Sequence, residues 1–88
     1  MKVLVLYRPN SEHARGVEEY LREFQRRNPT IKLNTLSVDT REGSATAALY
    51  DIVQYPAILA TRDDGSVQQI WSDGKLPLMD ELASYAIM

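Results

Sequence analysis

The sequence predicts an α/β fold in the order β-α-β-α-β-β-α, with a mixed four-stranded sheet covered by helices on both faces. Residues 3–7 (VLVLY) are five consecutive apolar residues, the pattern of a strand buried on both faces. Strand patterns then alternate with helical periodicity, and a tight turn joins two later strands. The 88 residues have the size of one small domain, and we expect residues 1–88 to form it.

A strand and a helix occupy the first third of the chain. Pro9 ends the strand, and Asn10 or Ser11 can cap the helix by accepting a hydrogen bond from its free N–H groups. Pro29 stops the helix near Arg27, because a proline disfavours helical backbone at the residue before it. The apolar face repeats at helical spacing through Ala14, Val17, Leu21 and Phe24.

A second strand and a second helix follow. Apolar and polar residues alternate from residue 31 to 38, which predicts a half-exposed strand. The alternation slips at Asn34 and Thr35, which predicts a bulge or a late strand start. Asp39-Thr40 offers a helix cap. The predicted buried face of this helix consists of Ala45, Ala48, Leu49 and Ile52.

A hairpin and a last helix complete the chain. The strands Ala57–Thr61 and Val67–Trp71 flank Asp63-Asp64-Gly65, a hairpin turn signal. A second turn is predicted at Ser72-Asp73-Gly74, and Pro77 suits the first turn of the last helix. The predicted buried side of that helix consists of Leu78, Met79, Leu82, Ala83, Tyr85 and Ala86.

Composition excludes several classes of function. The chain has ten basic and twelve acidic residues, so it lacks the broad basic surface that binds nucleic acid or anionic lipid. It has no cysteine, which excludes disulfides, thiolate metal sites and thiol catalysis. One histidine makes no metal site, and the isolated glycines form no phosphate loop, so no cofactor is expected. The apolar start is too short for a signal peptide or a membrane span, which favours a cytoplasmic protein.

Four features occur in a particular order along nearly the whole chain. They are residues 5–9 (VLYRP), the strand end Val38-Asp39, residues 49–59 (LYDIVQYPAIL), and the turn Asp64-Gly65 followed by Gly74 and a closing helix. This set resembles the thioredoxin and glutaredoxin superfamily. The resemblance implies that Pro56 is a cis proline opposite the family's active site. It also implies that the main chain beside Pro56 holds peptides or glutathione.

The departure from the family pattern is equally informative. The family's Cys-x-x-Cys motif corresponds to Ser11-Glu12-His13-Ala14 in this sequence. Disulfide exchange requires a thiolate that attacks sulfur, and a serine hydroxyl cannot replace it. The resemblance therefore implies the fold of the family without its redox activity.

The leading hypothesis is a non-catalytic module that binds a protein or peptide partner in the groove beside Pro56. Its predicted binding residues are Arg8, Asn10, Ser11, His13, Tyr55, Pro56 and Asp73. Three of them have a simpler structural explanation: a turn at Pro56, helix capping by Ser11, and an exposed polar side chain at His13. Arg8, Arg15 and Arg62 are a possible anion site or only surface charges.

Two other functions stay open at this point. The first is glutathione binding or transfer, with the hydroxyl groups of Ser11 and Tyr7 near the thiol, although the chain has no room for the second domain of such transferases. The second is a homodimeric assembly module, joined through Trp71 and an exposed sheet edge. Separately from the dimer hypothesis, Tyr7, Tyr55 and Trp71 are predicted to line one apolar groove suited to protein contacts, whereas Trp71 could instead pack beneath the last helix. We expect a monomer or a weak homodimer.

Overall fold

The computed structural model describes residues 2–86. Its elements are β1 (Lys2–Tyr7), α1 (Ala14–Arg27), β2 (Lys32–Ser37), α2 (Arg41–Leu49), β3 (Ala57–Thr61), β4 (Val67–Trp71) and α3 (Met79–Ala86). This order is the predicted β-α-β-α-β-β-α, which confirms the α/β fold class. No helix within residues 2–86 is long and apolar enough to cross a membrane.

The sheet has four strands in the order β2-β1-β3-β4. β1 pairs in parallel with β2 and antiparallel with β3, and β3 pairs antiparallel with β4, so the sheet is mixed as predicted. The bulge predicted at Asn34 and Thr35 is wrong, because the β1–β2 register runs without a shift from Lys2↔Lys32 to Tyr7↔Ser37. Both side chains are exposed on an edge strand, where two successive polar residues need no change of register. The register shift lies instead between Ala60 and Thr61.

Helices cover both faces of the sheet, as predicted. Val3, Val5 and Ile58 lie on one face and pack against Val17 and Phe24 of α1 and Leu82 of α3. The opposite face carries a second core of Leu6, Val38, Ala47, Ile52, Ala57 and Leu59, to which α2 contributes Ala47. Successive β1 side chains point to opposite faces, so an apolar strand at the sheet centre supplies both cores.

The predicted buried face of α2 is wrong. Ala45, Ala48 and Leu49 are exposed, and Ile52 is buried but lies beyond the end of the helix. The buried residues of α2 are Gly43 and Ala47. A Cβ on Gly43 would lie 1.8 Å from the Ser37 carbonyl oxygen, so only a glycine lets the helix approach the end of β2 this closely.

Helix termini and turns agree only in part with the sequence patterns. Thr40 caps α2 as predicted, because its side-chain oxygen accepts a hydrogen bond of 3.0 Å from the Gly43 N–H. The hairpin turn is also confirmed, with Gly65 at φ +89°. Pro77 precedes α3 rather than lying in its first turn, and Leu78 is 77% exposed instead of buried. The side chain of Ala86 lies outside the part of the chain that the structure describes.

Candidate functional site

An open groove of about 310 Å³ lies where the start of α1 meets Pro56 and the segment before α3. We call it the α1 groove. It is lined by Glu12, His13, Gly16, Val17, Pro56, Gly74 and Leu76. Two of these residues are glycines and three are apolar, so the groove offers space and apolar surface rather than a set of converging polar groups.

The segment between β1 and α1 is held by hydrogen bonds to the main chain of Arg8. The Ser11 hydroxyl donates to the Arg8 carbonyl oxygen at 2.6 Å, and the Ser11 N–H donates to the same oxygen at 3.2 Å. The Arg8 N–H in turn donates to Nε2 of His13 at 3.2 Å. Acceptance by Nε2 requires a neutral ring with its proton on Nδ1. These bonds fold residues 8–13 into a compact entry to α1.

Ser11 does not cap α1, which corrects the prediction. The residue at the N-cap position is His13, and it makes no side-chain cap hydrogen bond. The Ser11 hydroxyl is the donor in its bond to Arg8, and Ser11 does not line the α1 groove. Asn10 is exposed in the turn before it. Sequence spacing alone could not place the imidazole of His13 on the Arg8 N–H, because this contact depends on the path of the loop.

The three arginines proposed as one anion site lie apart. Arg8 follows the C-terminal end of β1, whereas Arg62 follows Thr61, which pairs with Lys2 at the other end of the sheet. Each arginine has its own partner: Arg8 pairs with Asp39 at 3.1 Å, Arg15 with Glu19 at 3.9 Å, and Arg62 with Gln68 at 2.7 Å. They therefore do not form a common anion site.

Pro56 lines the α1 groove, and the Tyr55–Pro56 peptide bond is cis. The ring of Tyr55 packs instead against the second core, and its hydroxyl donates to the Ile52 carbonyl at 3.2 Å. Within residues 2–86, none of the main-chain hydrogen bonds of loops and turns uses the N–H or C=O of Tyr55. The backbone of Tyr55 thus has free hydrogen-bonding capacity next to the groove.

The three aromatic residues do not share one groove, contrary to the prediction. Tyr7 and Trp71 pack against the first core, on the other side of the sheet from Tyr55. The Trp71 indole N–H donates to Glu81 Oε1 at 2.8 Å, and its ring lies edge-to-face with Tyr85 at a centroid distance of 5.4 Å. Trp71 therefore packs beneath α3, as the simpler of its two interpretations predicted.

A second groove of about 480 Å³ adjoins the loop after β4. It is lined by Gln54, Ile70, Trp71, Ser72 and Asp73. Gly74, at φ +81°, lies beside Gln54, and a Cβ there would make an ordinary contact of 3.4 Å with the Gln54 Oε1 atom. The Asp73 carboxylate accepts the Lys75 N–H at 3.1 Å, which shapes the turn between the two grooves.

One hydrogen bond ties the two walls of the α1 groove together. The Tyr20 hydroxyl, on α1, donates to the Pro77 carbonyl oxygen at 2.7 Å, and Pro77 directly follows Leu76 of the opposite wall. Burial, together with the nearby charge of Glu81, raises the pKa of Tyr20 to about 12. The phenol is therefore neutral and remains a donor at every physiological pH.

Five of the seven predicted site residues fall into three groups, whereas Asn10 is exposed in a turn and the Tyr55 ring packs against the second core. His13 and Pro56 line the α1 groove, Asp73 lines the second groove, and Arg8 and Ser11 shape the entry to α1. Sequence reasoning missed Gly16, Val17 and Leu76, which also line the groove. An isolated glycine inside a helical pattern was the available signal for Gly16, because such a glycine often has a packing or functional reason.

A thiolate and a three-ligand metal site are missing from the described residues. The chain has no cysteine, so disulfide exchange has no thiolate. Within residues 2–86, no three His, Asp or Glu side chains could together hold a metal ion. Ser11 Oγ and His13 Nε2 each bond the main chain of Arg8.

Comparisons with known proteins give the fold. No family model matches this sequence, and no curated protein matches it. Thioredoxin 1 from the thermophilic eubacterium Thermosipho africanus is 10% identical, with a TM-score of 0.70 over 97% of this chain and 89% of that one. A designed protein is 20% identical, with a TM-score of 0.69 over 96% of this chain and 70% of its own. A malarial protein is 14% identical, with a TM-score of 0.69 over 97% of this chain and 93% of that one. The chain therefore has a thioredoxin-like fold.

Proposed function

We propose that this chain, a thioredoxin-like fold without any cysteine, is a non-catalytic module that binds an extended peptide segment of another protein in the α1 groove. The observation that carries the proposal is the groove itself. Its lining combines the apolar residues Val17, Pro56 and Leu76 with two glycines that leave space for a ligand. Specific ligand sites of proteins are commonly concave and largely apolar, with few polar groups.

The backbone beside the groove supports an extended peptide as the occupant. Tyr55 precedes Pro56 in the groove wall, and its main-chain groups take no part in the loop and turn hydrogen bonds of residues 2–86. An added extended segment gains affinity from main-chain hydrogen bonds and specificity from pockets that receive its side chains. The free main-chain groups of Tyr55 would supply the hydrogen bonds, and the space above Gly16 would receive a side chain of the peptide.

The groove can be filled without removing any existing contact. Gly16 lies on α1, and a Cβ built on it meets nothing within 4 Å. Gly16→Leu therefore places a side chain in the groove while the fold is preserved, and it replaces a residue that weakens the helix. Glu18→Leu is the matched control, because Glu18 is exposed on the same helix and does not line the groove.

The test uses phage-displayed random heptapeptides selected on the wild-type protein. We expect selected peptides to bind the wild type, to bind the Glu18→Leu variant equally well, and to bind the Gly16→Leu variant at least tenfold more weakly in calorimetric titrations. Peptides that bind all three proteins equally would show that the binding surface lies elsewhere. A selection that yields no binder would reject the function.

A further inference from the structure

The α1 groove lies in an acidic part of the molecule. Glu12 lines the α1 groove, Asp73 lines the second groove, and Glu81 accepts the hydrogen bond of Trp71, which also lines the second groove. The one lysine of this loop region is Lys75. Three carboxylates and one ammonium group therefore lie around the two grooves. Glu12 lines the α1 groove, and Asp73 directly precedes Gly74 of its wall, so we call these two the rim carboxylates.

Neighbouring arginines do not offset this charge. Arg8 is paired with Asp39, and Arg15 with Glu19. Among the described residues, Glu12 forms no ion pair, so its charge is available to a ligand. The partial positive charge at the N-terminus of α1 opposes this effect. It corresponds to about half an elementary charge, less than the full charge of one carboxylate.

We propose that the peptide bound in the α1 groove is basic, with an apolar side chain in the groove and a Lys or Arg on each side of it, next to Glu12 and Asp73. This inference rests on the proposed function and specifies the chemistry of its partner. The groove provides the apolar contact, and the rim carboxylates provide charge complementarity, which selects partners and orients their encounter. The net charge of the chain is only −2, so the selectivity comes from these local groups.

The experiment compares three fluorescein-labelled peptides with one apolar centre: Lys-Lys-Val-Leu-Val-Lys-Lys, Gln-Gln-Val-Leu-Val-Gln-Gln and Glu-Glu-Val-Leu-Val-Glu-Glu. Fluorescence anisotropy gives their affinities at low and high salt. Exposed ion pairs each strengthen binding by about two- to fivefold, so two pairs predict a basic peptide bound about fourfold to 25-fold tighter than the neutral one. High salt should reduce this advantage, because exposed charges are screened.

Substitutions test whether the rim carboxylates cause the preference for the basic peptide. Glu12→Gln with Asp73→Asn should abolish the preference for the basic peptide, whereas Glu18→Gln, on an exposed side of α1 outside the groove, should leave it unchanged. If the basic and neutral peptides bind equally, the charge inference fails while peptide binding stands. If none of the peptides binds, both proposals fail. If Glu18→Gln weakens the preference as much as the rim variants, the attraction is general and the inference is overturned.

Discussion

Gly43 lies where α2 approaches the end of β2, and replacing it with alanine tests this account of the second core. The new Cβ would lie 1.8 Å from the Ser37 carbonyl oxygen and 2.6 Å from the Ser37 carbonyl carbon, both of which are backbone atoms. An ordinary contact begins at 3.4 Å, so α2 and the end of β2 must separate by about 1.6 Å. No side-chain rotation can relieve this overlap.

The magnitude follows from what the separation disturbs. Overpacking costs about 1–3 kcal/mol, and the Ser37 carbonyl also accepts hydrogen bonds from the Thr40 hydroxyl and N–H, each contributing about 1 kcal/mol. Replacing a glycine in a helix with alanine stabilises the helix by about 1 kcal/mol, which offsets part of this loss. We therefore expect Gly43→Ala to lower the free energy of unfolding by about 2–4 kcal/mol. For a domain of this size, that corresponds to a fall in Tm of about 10–25 °C.

Gly16→Ala is the internal control, because a Cβ there meets nothing within 4 Å. It should raise the free energy of unfolding by about 0.5–1 kcal/mol through helix propensity alone. Thermal melts followed by circular dichroism and urea titrations of both variants measure the difference. The reasoning is refuted if Gly43→Ala melts at or above the wild-type temperature, or if the two variants shift Tm in the same direction.

Three further outcomes are expected. Tyr20→Phe removes the hydrogen bond to Pro77 and should lower the free energy of unfolding by about 1 kcal/mol at pH 7. Because the pKa of Tyr20 is raised from 10.0 to about 12 in the folded protein, the stabilisation is complete below pH 10 and is lost as the pH rises through 12. Urea titrations should therefore show a smaller difference between the variant and the wild type at pH 11. Glu81→Ala should change the fluorescence emission of Trp71, the single tryptophan, and destabilise the fold by about 0.5–1 kcal/mol. Glu81→Gln keeps a hydrogen-bond acceptor and should leave the emission close to that of the wild type, so equal spectra for both variants would contradict the contact. Reduced glutathione should leave the amide resonances around Ser11 unshifted in an NMR titration, because the Ser11 hydroxyl already donates to the main chain and no cysteine can pair with the thiol. Shifts clustered around Ser11 would instead favour the glutathione hypothesis.

The sequence predicts the order of elements well, because each of the central strands is a clear apolar run between turn residues. Prediction fails where packing space, rather than hydrophobicity, selects a face. The pattern in α2 favoured Leu49, yet the sheet-facing positions are Gly43 and Ala47, the residues small enough for the short distance to β2. Leu49 is 73% exposed as a result.

The candidate site, like the fold, can be predicted from the sequence only in part. The correspondence with a known motif places His13 and Pro56 at one groove, and the structure brings them together there. It could not show that Ser11 turns its hydroxyl to the Arg8 carbonyl, because a hydroxyl that can cap a helix can equally bond the preceding turn. Nor could it place Leu76, which reaches the groove only through the path of the loop after β4.

The position of β1 in the sheet has a consequence for how the chain is made. β1 comes first along the chain but lies between β2 and β3, and its antiparallel partner extends over Ala57–Thr61. While a nascent chain ends before residue 57, one edge of this apolar strand has no partner, and unpaired strand edges are prone to aggregation. The central sheet can close only after Thr61 has left the ribosome, so synthesis passes through an interval in which β1 depends on residues made later for the protection of this edge.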